Sequence, residues 1–473
     1  MRTLLFAAFI LLLTAPASAQ DRAETLYGTL CASCHGAQRY GGEAPPLLPE
    51  ALGRKTDEQL VRTILDGRPN TQMPPFAAAL SEDDARALVA LARTPVDSIV
   101  WGTTEIAGSR VPLEPDGPTL PAVRSENLTL VVERGAGAIA LLDGDSMKEL
   151  DRFPVGRIHG GPKFDAALSR VWAVTRDGKV SAYDVAAGGL RATAKAAVNA
   201  RNLAVSPDGG LVAVAAQLPA QVAVLDGALN PRAVLPLTGQ PSGVYQVPGE
   251  AKFVLTLRDV PVLHFIDQAT MELETWDLPE PFEDFVFVPG RRQLLASSRA
   301  GGRIHLYDLA TRSVLATLET EALPHLFSAC FFEREGELMA ALNHIGVARL
   351  TVVSVDDLKT RATVPLVGSG YFARTHEGTP FIWVDTNTET LQLVDKKTFE
   401  LVGDGLVPRP GTKAMHTEFT DDGSKALVSV WSPDGAVVVY DAHTGEETAR
   451  LPFSMPIGKY NATNKTTHFR DSE

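Results

Sequence analysis

The chain has 473 residues, a formal net charge of −13 and no run of basic residues. It is too long for one ordinary domain and long enough to bury large cores, and its acidic balance argues against nucleic acid as a partner. After the N-terminus, no stretch reaches the roughly 18 consecutive apolar residues of a transmembrane helix. We therefore expect no membrane span in the mature chain.

The first 19 residues have the pattern of a secretory signal peptide. Arg2 supplies the positive end, residues 4–13 supply the apolar segment, and residues 17–19 form an A-x-A cleavage site. An uncleaved membrane anchor is the alternative, but the apolar segment is short for a span. We therefore expect cleavage near Gln20 and export to the periplasm.

Residues 31–35 have the sequence C-x-x-C-H, which is typical of c-type haem attachment. The thiols of Cys31 and Cys34 can bond the two vinyl groups of one porphyrin, and the imidazole of His35 can reach its iron. A thioredoxin-like redox pair is the alternative, but such a pair lies near a βαβ pattern that is not visible here. The sequence therefore predicts one covalent haem c, and it leaves Cys330 as a small core residue.

Residues 20–94 have the element order of a small helical domain. Apolar spacing predicts helices over 21–30, 57–65 and 81–92, with Thr56 and Ser81 as N-caps. Met73 lies in an irregular stretch beside two prolines. Its thioether suits haem iron as a partner of His35, although packing on the haem edge without ligation is the alternative. The order resembles a small all-α class I cytochrome c, which implies one-electron transfer.

The Pro, Gly, Ser and Thr content of residues 95–127 predicts a linker. Beyond this stretch, helical spacing of apolar residues gives way to short β-rich runs. A run that ends in Asp recurs eight times at spacings of 39 to 48 residues, at Asp143, Asp184, Asp226, Asp267, Asp308, Asp356, Asp395 and Asp441. A period of about 40–45 residues is typical of β-propellers. The sequence therefore predicts an all-β eight-bladed propeller over residues 128–473, in which the repeated Asp closes the turn between the two outer strands.

Four histidines lie in or near the connections between blades, where propellers usually carry function. They are His159, His325, His376 and His416. His264 and His305 lie within the repeated strands instead, and we expect them to be structural. Because the connections can converge on the propeller axis, the four histidines point to a second metal-bearing cofactor.

A cytochrome c domain joined to an eight-bladed propeller resembles the cytochrome cd1 family, whose propeller carries haem d1 on its axis. The resemblance extends over essentially the whole mature chain. Local segments that match are residues 159–180, 198–201, 322–325, 375–386 and 456–461.

The resemblance implies roles for five residues. His159 is the expected proximal ligand of the d1 iron, and His325 comes from a segment that bears a distal histidine, so either or both can bind the iron. Arg176 and Arg201 are expected to pair with the carboxylates of the macrocycle by charge-assisted hydrogen bonds. Four carboxylates on a buried ring need several cations, so we expect further arginines. His376 is expected among the cofactor-binding residues.

One segment departs from the family pattern. Nitrite-reducing members use two distal histidines to supply protons, but residues 265–302 contain no histidine, and the segment 285–292 offers Arg291 or Arg292 at the approximate position of the first. An arginine stays protonated and cannot donate and recover protons as imidazole does. The resemblance is therefore to the dihydro-haem d1 dehydrogenase branch of the family.

That branch implies a two-electron dehydrogenation that converts a propionate of dihydro-haem d1 to the acrylate of haem d1, with electrons leaving through haem c. His416 and Tyr460 are the candidates for handling the protons, although His416 as a pocket-lining residue and Tyr460 as a packing residue are alternatives. A soluble periplasmic electron acceptor and a cytochrome cd1 nitrite reductase that receives haem d1 are the expected partners. A nitrite reductase and a non-catalytic haem d1 carrier remain alternative functions.

Overall fold

The computed structural model describes residues 19–41, 44–53, 55–68, 73–115, 117, 120, 123–158, 160–298, 302–321 and 323–466. The chain divides into two units, residues 1–99 and 100–473. Nearly all of the predicted signal peptide lies outside the described residues. Among the helices of the described ranges, none is long and apolar enough to cross a membrane.

The first unit is helical, with helices at Ala19–Leu30, Ala32–His35, Pro49–Leu52, Asp57–Asp66 and Glu82–Arg93. Both predicted N-caps are present, because the hydroxyls of Thr56 and Ser81 accept from backbone N–H groups three residues on. Asp84 also accepts from Arg22 at 2.5 and 3.0 Å. This ion pair joins the first and last helices, whose apolar faces pack over the haem-attachment segment.

The second unit is a ring of eight antiparallel sheets within the described residues. We number these blades 1 to 8 in chain order and call the strands of each blade inner, second, third and outer. The last strand of the chain, Pro456–Asn461, pairs with Leu128–Glu133 and so is the inner strand of blade 1. Chain ends that share one blade close the ring, and the predicted eight-bladed propeller is confirmed.

The strands recur in the same order in each blade. Inner strands of blades 1 to 8 are Pro456–Asn461, Lys163–Phe164, Asn199–Val205, Pro241–Gln246, Asp284–Phe287, Cys330–Arg334, Ala373–Arg374 and Ala414–Phe419. Second strands are Leu128–Glu133, Arg170–Val174, Leu211–Leu218, Lys252–Leu257, Gln293–Ser298, Glu337–Asn343, Phe381–Asp385 and Lys425–Val430.

Third strands are Ala138–Asp143, Lys179–Asp184, Ala220–Asp226, Val262–Asp267, Arg303–Asp308, Arg349–Ser354, Leu391–Asp395 and Ala436–Asp441. Outer strands are Glu149–Pro154, Gly189–Lys195, Pro231–Pro236, Leu273–Asp277, Ser313–Glu319, Thr360–Pro365 and Glu447–Pro452. In blade 7, isolated bridges to Leu401 and Leu406 replace the outer strand. Short helices lie at Ser125–Asn127, Leu326–Ser328 and Ala462–Thr466.

The repeated aspartates close the turns after the third strands, as predicted. The carboxylate of Asp267, for example, accepts from the N–H groups of Ala269 and Thr270, both at 2.9 Å. Blade 6 is the exception, because its third strand ends at Ser354, whose hydroxyl accepts from the N–H of Asp356 at 3.3 Å. The choice of Asp356 as the sixth repeat position was therefore wrong by two residues.

Part of the predicted linker folds against the propeller. A helix at Thr103–Ser109 buries Ile106 completely in the core between blades 2 and 3, and Val111–Pro112 adds a strand to the outside of blade 2. The indole N–H of Trp101 donates to the carbonyl of Lys195 at 2.8 Å. Residues 101–112 are therefore part of the second unit.

Candidate functional site

The haem-attachment segment of the first unit continues its first helix. Cys31 and Cys34 are partly exposed, and His35 is buried. His35 Nδ1 lies 2.7 Å from the carbonyl oxygen of Pro45, which can only accept, so Nδ1 carries the proton and Nε2 presents the lone pair. Burial lowers the pKa of His35 and favours the neutral imidazole that binds iron. These residues fit a covalent haem c.

Met73 lies in a loop that turns back on the preceding helix end. The N–H of Arg68 donates to the Met73 carbonyl at 3.0 Å, and Gly67 has a φ of +71° with no room for a side chain beside residues 73–75. The thioether is half-buried and is held outside any helix. Ligation of iron by Met73 stays a prediction.

The second unit gathers polar side chains at one edge of the ring. In an antiparallel blade, the inner strand begins and the second strand ends at the same edge. We call this the front edge; it includes Arg134, Arg176 and Arg258, each of which follows the second strand of its blade. Arg201 and His416 are the third residues of their inner strands, in blades 3 and 8. Residues distant in sequence therefore meet around one opening.

Four arginines from blades 1 to 4 form a cationic side of this opening. Burial, together with repulsion from Arg201, Arg258 and Arg134, lowers the pKa of Arg176 to about 9. Arg176 donates to the side chain of Gln217 at 3.1 Å, and Arg201 donates to the carbonyl of Ser242 at 3.0 Å. Concentrated positive charge of this kind suits a ligand that carries several carboxylates.

A small, partly open cavity lies beside Arg201 and is lined by Gly160, Gly161, Lys163, Arg201, Asn202, Tyr245 and Phe327. These residues come from blades 2, 3 and 4 and from the connection into blade 6, so the cavity lies on the ring axis. The rings of Tyr245 and Phe327 are 5.3 Å apart and form an aromatic wall. Aromatic and cationic side chains side by side are the groups that contact a flat apolar ring with charged substituents.

His325 lies beside the aromatic wall, with its ring centroid 6.3 Å from that of Phe327. Its Nδ1 lies 2.9 Å from the carbonyl of Tyr371 and 3.0 Å from the hydroxyl of Ser328. Because the carbonyl only accepts, the proton is on Nδ1 and the lone pair is on Nε2. This is the tautomer that an iron ligand needs.

His416 and Tyr460 lie together on neighbouring inner strands, with ring centroids 5.4 Å apart. His416 is 1% exposed, and Phe372 packs 4.7 Å from its ring and 5.7 Å from that of His325. The Tyr460 ring packs directly over Gly161 of the cavity lining, where a Cβ would overlap it. Arg201 therefore lines the cavity, while Tyr460 and His325 contact its lining residues Gly161 and Phe327, and His416 packs behind them against Tyr460 and Phe372.

Other predicted residues are not brought to this cavity. His376 follows the inner strand of blade 7 at the opposite edge, where its ring lies 5.9 Å from Phe419 and its Nδ1 accepts from the N–H of Gly378. His159 lies outside the described residues. Its predicted place as an iron ligand is therefore not described, although Gly160 and Gly161 next to it line the cavity.

The suggestion that Arg291 or Arg292 replaces a distal histidine was wrong. Both lie in the turn after the inner strand of blade 5, at the edge opposite the front edge. Arg291 pairs with Asp356 at 2.6 Å and Arg292 with Glu250 at 2.8 Å. The front edge of blade 5 carries Phe285 instead, 5.1 Å from Tyr245. The absence of a histidine from residues 265–302 is unaffected.

Sequence reasoning missed four residues of this site: Arg134, Arg258, Asp385 and Lys459. A basic residue follows the second strand in blades 1, 2 and 4, and aligning the repeats by strand register would have revealed Arg134 and Arg258 beside Arg176. Asp385 and Lys459 are fully buried, and each reaches residues of blade 8 that are distant in the sequence. No local pattern marks such residues.

Comparisons with known proteins agree with this arrangement. Residues 123–465 match the family described as "Cytochrome D1 heme domain", and residues 18–91 match "Cytochrome C oxidase, cbb3-type, subunit III". The dihydro-heme d1 dehydrogenase of Pseudomonas aeruginosa is 38% identical over 462 residues, which cover 93% of this chain and 94% of the relative.

The nitrite reductase of Stutzerimonas stutzeri is 20% identical and covers 95% of this chain and 93% of the relative. The solved structure "Dihydro-heme d1 dehydrogenase NirN in complex with DHE" is similar with a TM-score of 0.81 and 37% identity, over 94% of this chain and 100% of that chain. Since the first family model spans residues 123–465, the chain belongs to the cytochrome d1 haem domain family.

Proposed function

We propose that this protein is a dihydro-haem d1 dehydrogenase, which oxidises one propionate side chain of dihydro-haem d1 to the acrylate of haem d1. It shares 38% identity over 93% of its length with a dehydrogenase of that name. One structural observation carries the assignment. His416 and Tyr460, two groups able to handle protons, have ring centroids 5.4 Å apart, and the ring of Phe372 packs against both His416 and His325.

The reaction converts a C–C single bond to a double bond, so each of the two carbons loses one hydrogen, and two protons and two electrons leave. Removing a proton beside a carboxylate is easier when the negative charge that develops there is stabilised. The site must therefore hold the side-chain carboxylate, accept protons and leave the electrons a way out. The arginines Arg134, Arg176, Arg201 and Arg258 supply positive charge for the carboxylates of the macrocycle.

His416 starts as a donor. The backbone N–H of Lys459 donates to His416 Nδ1 at 3.3 Å, so the neutral imidazole carries its proton on Nε2. Acting as a base, His416 would take up one substrate proton at a ring nitrogen and pass it on to water. A neutral phenol can accept a proton only as it gives up its own, so we assign Tyr460 to relay the second proton to water.

The first unit provides the electron outlet. Cys31 and Cys34 would hold haem c covalently, and His35 and Met73 would bind its iron. Haem c, when bound, accepts one electron at a time. We further propose a periplasmic location, a soluble electron acceptor and a cytochrome cd1 nitrite reductase as the recipient of haem d1; the signal-peptide pattern of residues 1–19 supports the location.

The test is to add dihydro-haem d1 to the purified protein with haem c attached and to follow the tetrapyrrole by absorption and mass spectrometry. With oxidised protein in at least twofold excess over the tetrapyrrole, we expect a product lighter by two hydrogens, formed together with two reduced haem c groups. A protein whose Cys31 and Cys34 are replaced by alanine controls for the electron outlet, and it should bind the tetrapyrrole without turnover.

Two other outcomes would replace the proposal. Stable binding and release of unchanged tetrapyrrole would make the protein a carrier. Turnover of nitrite by the reduced, haem d1-loaded protein, at a rate above that of dehydrogenation, would make it a nitrite reductase.

A further inference from the structure

Asp385 is a buried carboxylate at the front edge of blade 7, and it is 1% exposed. Its Oδ1 accepts from the N–H groups of Tyr371 at 2.7 Å and Phe372 at 3.2 Å, and its Oδ2 accepts from the N–H of His416 at 3.3 Å. One side chain therefore fixes the backbone of two neighbouring blades at the point where they face the cavity.

The contact with Tyr371 reaches His325. The carbonyl of Tyr371 accepts from His325 Nδ1 at 2.9 Å, and the hydroxyl of Ser328 donates to the same carbonyl. Gly370 lets this segment approach, because a Cβ at Gly370 would overlap both the backbone carbonyl and the side chain of Asp385. The orientation of the His325 imidazole thus depends on a peptide that Asp385 holds.

The contact with His416 holds a strained residue. His416 has a φ of +52°, which is uncommon for a residue with a side chain, and the pairing register of its strand shifts between Met415 and Glu418. Asp385 holds the N–H of His416 from one side. Lys459 Nζ donates to the carbonyls of His416 and Met415 and to Ser429, 2.7 Å away, from the other. The bulge that positions His416 is therefore held between the buried carboxylate of Asp385 and the buried Nζ of Lys459.

Phe372 connects the contacts that lead from Asp385 to His325 with those that lead from Asp385 to His416. Its N–H is bonded to Asp385, and its ring lies between those of His325 and His416. We propose, on the basis of the function proposed above, that Asp385 is a positioning residue that sets the His325 imidazole and the His416 imidazole relative to one another. Asp385 touches neither imidazole, and it acts through the peptides of Tyr371 and His416.

The charge environment agrees with this role. Burial raises the pKa of Asp385 to about 6, while its three N–H donors and the ammonium of Lys459 oppose that rise. Burying a carboxylate destabilises a fold unless hydrogen bonds compensate. For Asp385, these hydrogen bonds come from the backbone N–H groups of Tyr371, Phe372 and His416. The carboxylate that they stabilise therefore also fixes the positions of those three residues.

The test is Asp385→Asn in the full chain with haem c attached. Asparagine keeps the size of the side chain but offers one acceptor atom and one donor, so either the Tyr371 segment or the N–H of His416 loses its acceptor. The first readout is the absorption and electron paramagnetic resonance spectrum of bound ferric dihydro-haem d1, which reports the iron ligand. The second is the single-turnover rate of dehydrogenation. We expect a changed ligand spectrum and a rate lower by about 100-fold, as for a small misplacement of reacting groups.

Asp395→Asn is the matched control. Asp395 also ends a strand of blade 7 and accepts from the N–H groups of Lys397 and Thr398, at 2.7 and 2.9 Å, in the turn after the third strand. We expect it to leave the spectrum and the rate unchanged. A folded Asp385→Asn protein with the spectrum and rate of the wild type would overturn the proposal, and so would an Asp395→Asn protein with equal losses.

If Asp385→Asn does not fold, Gly370→Ala tests the same link without changing charge, because the added methyl group separates the Tyr371 segment from Asp385. We expect it to change the ligand spectrum, and an unchanged spectrum would refute the positioning role. Failure of the proposed function can be told apart from failure of the positioning role. A wild-type protein that binds dihydro-haem d1 without oxidising it still gives a ligand spectrum, and these variants are expected to alter that spectrum.

Discussion

The two sides of the axial opening differ in how their charges are balanced. On the side of blades 1 to 4, the charged groups that shift the pKa of Arg176 are all arginines. Where blade 8 meets blade 1, burial lowers the pKa of Lys459, and two buried carboxylates, Glu418 and Asp385, oppose that shift. The first side therefore has positive charge for a ligand, whereas the second also contains carboxylates and lies beside His416.

This difference suggests that recognition and chemistry are separated in the ring. Cations that face a bound polycarboxylate contribute mainly to affinity, and groups that exchange protons with the substrate contribute mainly to the rate. Variants on the arginine side should therefore change Kd, and variants on the histidine side should change the rate at saturation. Each prediction below tests that separation.

The largest effect is expected from His416→Ala. Loss of a proton-handling imidazole lowers a rate by roughly 10²–10⁴-fold, while the Kd for dihydro-haem d1 should change little because the arginines remain. Single-turnover absorbance measures the rate, and titration measures Kd. His443→Ala is the control, since His443 is exposed in a turn of the same blade. Normal conversion by His416→Ala would remove His416 from the mechanism.

Arg176→Gln should weaken binding. A charge-assisted hydrogen bond contributes about 1.5–3 kcal/mol, so Kd should rise by roughly 10–100-fold while the saturated rate stays the same. Titration at two salt concentrations measures the affinity and its electrostatic part. Arg191→Gln provides the control in blade 2, where Arg191 pairs with Asp184 at 3.0 Å on the outer surface. A fall in the saturated rate without a change in Kd would reverse the roles of the two sides.

Tyr460→Phe should have a smaller effect, because it removes only the hydroxyl and keeps the ring over Gly161. We expect the rate to fall by about tenfold, equivalent to about 1.4 kcal/mol of barrier, with Kd unchanged. Tyr440→Phe, at a buried tyrosine of blade 8, should leave both quantities unchanged. If Tyr460→Phe retains the full rate, the residue serves only in packing.

The sequence allowed prediction where structure is local. The C-x-x-C-H segment and the N-caps Thr56 and Ser81 depend on neighbours within a few residues, and the Asp turns depend on N–H groups two and three residues ahead. Blade 6 shows the limit of the repeated Asp as a marker of these turns. There the hydroxyl of Ser354 accepts the N–H in the turn, and Asp356, two residues later, was mistaken for the repeat position.

The axial site could be predicted only in part. Arg201 was identified through resemblance and His416 by its place near a connection between blades. Arg291 and Arg292 were misplaced because the segment was aligned by composition and not by strand register. Asp385 could not be identified, since its role depends on accepting N–H groups from Tyr371 and from His416, which lies 31 residues away in the sequence. Such contacts arise from closing the ring, and side-chain periodicity does not report them.

Blade 5 lies between the two sides and provides the smallest expected effect on function. Glu280, in the connection into this blade, accepts from Arg303 at 2.8 and 3.0 Å, from Ser298 and from His305 Nε2 at 2.7 Å. His305 Nδ1 lies 2.9 Å from the hydroxyl of Thr317, so both ring nitrogens are engaged within the blade. This polar group is a stabilising feature of the blade, and Glu280→Gln should lower Tm while leaving the rate and Kd unchanged.

The pH dependence distinguishes this stabilising role from a catalytic one. Hydrogen bonds, first from Arg303, lower the pKa of Glu280 from 4.5 to about 2. A carboxyl group with a lowered folded-state pKa stabilises the fold above its unfolded pKa and loses that contribution as the pH falls. The difference in Tm between wild type and Glu280→Gln should therefore be full near neutrality and shrink as the pH falls from 4.5 toward 2. A folded Glu280→Gln protein with an altered rate or Kd would show that the functional site extends into blade 5. The arginine side and the histidine side would then not be functionally separate.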